Sequence, residues 1–229
     1  MGRDVMLVTP AGPVSAWRAE PPHGAAAQGA VVVIQEIFGV NAHIRSVADG
    51  YAAAGYTALA PALFDPVARH VELAYDAEGF AQGRALVEAL GNDRAVAIVR
   101  ACRDTLRGEG HRRVAAVGFC WGGTLAFLAN TRLGLPAVSY YGARTVPVLG
   151  ETLQAPMLFH FGADDPSISA DDIALHRTRQ PDAQVCVHPG GHGFNRDVDP
   201  AHYHAASAAA ARRATLAFLD AALRQDAPP

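Results

Sequence analysis

Short apolar runs alternate along this chain with longer stretches whose apolar residues recur at helical spacing. Ala30-Val31-Val32-Val33-Ile34-Gln35 is β-branched and almost free of polar breaks, which predicts a central strand buried on both faces. A helix is predicted from about residue 42 to 54, closed by Gly55, and a strand over 56–60, stopped by Pro61. Residues 61 to 77 show weak periodicity and predict an irregular excursion over one end of the sheet. Helical spacing returns at about 77–89 and 93–107. The apolar run Val114 to Val117 then passes into a helical stretch from Trp121 to Asn130. Strands are predicted at 136–141, 156–161 and 184–188, with a short helix at 171–179. An alanine-rich helix over about 203–223 buries Leu216, Phe218, Leu219 and Leu223, and residues 225–229 are expected to fray. Strands alternating with helices predict an α/β fold with a mostly parallel sheet. There is no internal repeat and no Gly-, Ser- or Pro-rich linker, so one domain over residues 1–229 is expected.

Composition narrows the function classes. The chain has 229 residues, half of them hydrophobic, enough for a sizeable core without disulfide or metal staples. A net charge of −3 gives no electrostatic grip on nucleic acid or an anionic membrane. No run approaches the roughly 18 apolar residues of a membrane span. The N-terminus carries no long apolar signal segment, so a cytoplasmic location is expected. The three cysteines are widely spaced with no C-x-x-C, which argues against a disulfide framework and a zinc site. Cys102 and Cys186 read as small buried hydrophobes. No metal or cofactor is expected. Neither nucleic acid nor membrane is expected as a partner, and the chain is expected to be a monomer or weak homo-oligomer.

Cys120 differs because its neighbours impose a geometry. Val117-Gly118-Phe119-Cys120-Trp121-Gly122-Gly123 joins a strand to a helix, with glycine two before and two after a nucleophile. That is the nucleophile-elbow pattern with sulfur at its centre, and the helix N-terminus behind it favours an anion. A thiol needs a base, and the base an orienting acid. On α/β-hydrolase elbows the chain order is nucleophile, acid, histidine. Asp165, in Gly162-Ala163-Asp164-Asp165-Pro166 after a strand, is the candidate acid, with Asp164 as the alternative. His192, between Gly191 and Gly193, is the candidate base. His160 lies inside an apolar strand and reads as a core histidine, and His202 and His204 start a polar helix face. Oxyanion donors are expected from the Trp121 N–H and from the Ile37 N–H in Gln35-Glu36-Ile37-Phe38-Gly39. Glu36, on that same loop, is either a solvated or salt-bridged residue or a charge close to the thiol, which would hold Cys120 protonated and compete with His192 for the proton.

These four motifs, together with Phe194 after Gly193, resemble the dienelactone hydrolase family (carboxymethylenebutenolidases), in order and over almost the whole chain. The resemblance implies a small single-domain α/β hydrolase that opens an unsaturated enol lactone to maleylacetate or a substituted form, in aromatic-compound breakdown. Cys120 would be the nucleophile, His192 the base, Asp165 its orienting acid, and Glu36 the acceptor of the thiol proton once substrate binds. Two arginines would bind the substrate carboxylate. Arg196, four residues after His192, matches the second, and Arg69 in the 61–77 excursion is the candidate for the first. A broader esterase or thioesterase on the same triad is the alternative. A non-catalytic binding protein on a hydrolase scaffold is a third reading, which the intact set of motifs opposes.

Overall fold

The structure is a computed structural model that describes residues 2–22 and 27–223; the fraying expected at 225–229 lies outside the described residues. An eight-stranded sheet runs in the order β1-β2-β4-β3-β5-β6-β7-β8. Its strands are β1 (Arg3–Thr9), β2 (Gly12–Ala19), β3 (Ala30–Ile34), β4 (Thr57–Pro61), β5 (Val114–Phe119), β6 (Ala137–Tyr140), β7 (Met157–Gly162) and β8 (Gln184–His188). The helices are α1 (Ala42–Ala53), α2 (Ala77–Leu90), α3 (Asn92–Gly108), α4 (Trp121–Leu133), α5 (Ala170–Arg179) and α6 (Ala205–Leu223). From β3 to β8 every pairing is parallel, while β1–β2 and β2–β4 are antiparallel.

The unbroken apolar runs become the central strands because helices cover both faces there. Every residue of β3, β4, β5, β6 and β7 is buried. Each valine so buried contributes about 1.5–3 kcal/mol relative to exposure. Helices α3 and α4 pack on one another and on β3 and β5, whereas α6 packs on β5, β7 and β8. Arg212 on α6 donates to the Gly50 carbonyl on α1 at 2.9 Å, tying those two helices together.

Strand β3 lies between β4 and β5, so chain connections leave it toward opposite sides of the sheet. Such a reversal opens a crevice beyond the carboxyl ends of the two strands. Glu36 and Ile37 follow β3, and Cys120 follows β5, so both enter that crevice. The 61–77 excursion is built mostly of turns and is tied to the β3 loop by the Gly39–Glu72 bridge, by the Leu73 N–H donating to the Phe38 carbonyl at 2.9 Å and by the Leu63 N–H donating to Gln35 Oε1 at 3.0 Å. No described helix is long and apolar enough to cross a membrane.

Candidate active site

The β5–α4 turn fixes Cys120 first. Its φ is +54°, in the left-handed region that non-glycine residues seldom enter. Its amide donates to the Tyr140 carbonyl on β6 at 2.9 Å, and its carbonyl accepts from Gly123 N–H at 2.9 Å. A Cβ on Gly118 would strike the Gly122 carbonyl, and one on Gly122 would strike the carbonyls of Ile34 and Gln35. Bare backbone at these positions lets α4 begin directly against the end of β3. That contact brings the Ile37 loop beside the elbow.

His192 and Asp165 arrive from the ends of β8 and β7. The His192 Nδ1 and Asp165 Oδ2 are 2.8 Å apart, with the aspartate side chain fully buried and the imidazole 16% exposed. Asp165 also accepts from the Ser167 N–H at 2.8 Å. Asp164 turns elsewhere and accepts from Gly190 N–H at 3.3 Å. Burial opposes a charge on His192, but Cys120 and Asp165 outweigh it and push the imidazole up to about 10. Cys120, hydrogen-bonded to His192, is one of the groups that keep the ring protonated. Tyr141 packs its ring against the imidazole at 5.0 Å between centroids.

Glu36 enters a buried salt bridge. Its carboxylate is fully buried, and Oε1 accepts from Arg196 Nε at 2.9 Å and Oε2 from the Tyr75 hydroxyl at 3.0 Å. Among the described residues it has no hydrogen bond to Cys120. The salt bridge expected as one reading of Glu36 is thus present. Its partner lies 160 positions away in the chain, on the turn after His192. Arg196 also reaches Asp199 at 3.5 Å and lies over the rings of Tyr75 and Phe38, at 4.9 and 5.6 Å. Burial opposes its charge too, yet Glu36 holds the guanidinium above its ordinary range.

Two pockets meet at Cys120 and His192. The larger, of about 310 Å³, is lined by Ile37, Phe80, Val87, Trp121, Arg84 and Arg144 besides the pair. The smaller, of about 180 Å³, holds Phe38, Tyr75 and Arg196 together with Asp76 and Asp199. Arg69 is exposed on the excursion and lines neither pocket, so the expected first arginine is not there. Arg84 on α2 and Arg144 after β6 were missed from the sequence. Helical position alone could have flagged Arg84, four residues from Phe80 and thus on its face. Nothing local marks Arg144.

Among the described residues, the remaining histidines and cysteines fall outside this pair of pockets or at its rim. His160 is fully buried between His188 Nε2 at 3.0 Å and Thr215 Oγ1 at 3.1 Å, and burial drives it down to about 3. His202 bonds Asp199 at 2.7 Å at the edge of the smaller pocket. Cys102 is buried on α3, and burial raises its thiol above the ordinary range. Cys186 is only half-buried on β8. No metal-binding cluster occurs among the described residues.

Known proteins share this sequence and geometry. The family model described as the dienelactone hydrolase family matches residues 14–223. Carboxymethylenebutenolidase 1 of Cupriavidus pinatubonensis is 32% identical, covering 80% of this chain and 82% of that protein. A Synechocystis protein provisionally named a carboxymethylenebutenolidase is 34% identical over 78% of this chain and 80% of its own. A crystal structure from Klebsiella pneumoniae, provisionally named a dienelactone hydrolase, superposes with a TM-score of 0.84 at 27% identity, covering 95% of this chain and 97% of that one. The chain belongs to the dienelactone hydrolase family and is a carboxylic ester hydrolase.

Proposed function

We propose that the enzyme opens an unsaturated, carboxylate-bearing lactone, with Cys120 as nucleophile and an acyl-thioester as intermediate. The observation that carries this reading is the Cys120–His192–Asp165 set, standing on a strained elbow where two pockets meet. His192, protonated beside the sulfur, gives its proton to the departing enolate oxygen, and Asp165 holds the ring in the orientation that allows it. The thiolate adds to the ester carbonyl. The resulting oxyanion is met by the Ile37 and Trp121 N–H groups. The acyl carbon–oxygen bond then breaks, leaving an enol that becomes a ketone and so resists reclosure. Water, activated by His192, cleaves the thioester and restores the thiol.

Arg196 is the site's buried cation, and in the absence of substrate it is held by Glu36. A substrate carboxylate competes with Glu36 for that guanidinium. Release of Glu36 gives it a free carboxylate oxygen with which to draw the thiol proton.

A second reading, a broader esterase, has its own support. The larger pocket is lined by Phe80, Val87 and Trp121, and Arg196 is already neutralised by Glu36 and Asp199. Comparing kcat/KM for a dienelactone and for p-nitrophenyl acetate separates the two. A higher value for the simple ester would overturn the lactone reading. Absence of any acyl-enzyme mass with either substrate would overturn the nucleophile assignment itself.

A further inference from the structure

Phe80 is 50% exposed, yet it lines both pockets that meet at Cys120. A single apolar side chain in solvent is ordinary and needs no explanation by itself. Its place is what matters. Among the described residues, the two pockets share Ile37, Phe80, Cys120 and His192. Cys120 and His192 belong to the chemistry, and Ile37 offers its N–H. Phe80 is the shared wall that none of these roles accounts for.

Helix α2 holds that wall in place. The Asp76 side chain accepts from the Gly79 N–H at 2.8 Å and so caps the turn that carries Phe80. A Cβ on Gly83 would strike the Ile37 carbonyl, and one on Gly79 the Ala74 carbonyl. The helix therefore lays bare backbone against the Ile37 loop, and Phe80, three residues before Gly83, comes down on the same face. The chambers on its two sides differ. Trp121, whose N–H follows the nucleophile, and Val87 line only the larger one, whereas Arg196 lines only the smaller.

We propose that Phe80 is a specificity-determining residue. Its ring keeps the acyl half of an ester in the larger, apolar chamber and the leaving half in the smaller one, and so limits the size of acyl group accepted. This assignment rests on the reading of Cys120 as nucleophile and Arg196 as carboxylate binder.

Phe80→Ala removes the ring and keeps the helix, because alanine is the best helix former. The test is kcat/KM for p-nitrophenyl octanoate divided by that for p-nitrophenyl acetate. Phe80→Ala should raise this ratio about tenfold or more, with the acetate value itself within about threefold of the parent's, since an acetyl group does not reach the ring. Phe80→Trp should lower the ratio, because a larger ring takes more of the same space. A ratio within about twofold of the parent's in Phe80→Ala overturns the assignment, as do both variants moving it in the same direction. Intact mass of the parent after mixing with the acetate keeps the two readings apart. No acyl mass on Cys120 removes the nucleophile and the assignment with it, whereas a normal adduct with an unmoved ratio sinks the role of Phe80 alone.

Discussion

The buried ion pair between Glu36 and Arg196 can be tested by taking away one charge. Arg196→Met removes the guanidinium and keeps an unbranched stem over Phe38 and Tyr75. Glu36 then stays fully buried with a single donor, the Tyr75 hydroxyl. Removing one partner of a buried pair costs about 3–5 kcal/mol, mostly the penalty of the charge left behind. The surviving tyrosine bond places this case at about 3 kcal/mol, since a hydrogen bond to a charged group is worth about 1.5–3 kcal/mol. In a chain of this size each kcal/mol moves the thermal midpoint by roughly 2–4 °C, so a fall of about 6–12 °C is expected. Thermal melts followed by circular dichroism at neutral pH measure it. Glu36→Gln combined with Arg196→Met removes the stranded charge and should recover most of the loss. A single variant within about 2 °C of the parent would refute the reasoning, because it would mean the pair is not desolvated. A double variant no better than the single one would place the loss in ring packing instead.

Cys120→Ala should end turnover and keep the far-ultraviolet circular dichroism spectrum; retained activity would remove the nucleophile. His192 stands at about 10, burial being outweighed by Cys120 and Asp165, so its proton adds stability that is complete below about pH 6.5 and lost as pH rises through about 10. Asp165→Asn deletes one raising group, so the imidazole titration seen by NMR should move to lower pH, and an unmoved midpoint contradicts the contact. Gly118→Ala should destabilise the protein and lower activity together, because its Cβ meets the Gly122 carbonyl; a parent-like melt would show that the turn can relax. Replacing both Arg84 and Arg144 with alanine should raise KM for anionic esters and not for neutral ones, and an equal rise for both would deny them a role in charge recognition.

Much of the sheet was legible because burial on both faces forces unbroken apolar runs, as in Ala30–Ile34 and Val114–Phe119. The hairpin of β1 and β2 was not. Val5-Met6-Leu7-Val8 is continuously apolar, yet Met6 and Val8 face solvent on an edge strand, so the expected alternation is hidden. The start of α5 lies slightly before the expected helix at 171–179, because Ser169 caps it and bonds reciprocally with Asp172. Local geometry made Cys120, Asp165 and His192 readable, since each sits at a strand end with its own turn chemistry. The pairing of Glu36 with Arg196 depends on where two distant loops meet, and no local pattern carries that. Arg69 was proposed from its place in an excursion whose path only tertiary contacts determine.

The meeting of two pockets at one sulfur sets the order in which products can depart. With Cys120 as the proposed nucleophile, an open ester's alcohol would leave from one chamber while the acyl group stays bound in the other. A lactone's two halves remain one molecule after the ring opens, so its product spans both chambers until the thioester is hydrolysed. Release is then a single event requiring both sides to let go. If Arg196 binds the carboxylate as proposed, that anion would fasten reactant and product alike, and departure rather than bond cleavage would become the step that tighter binding slows.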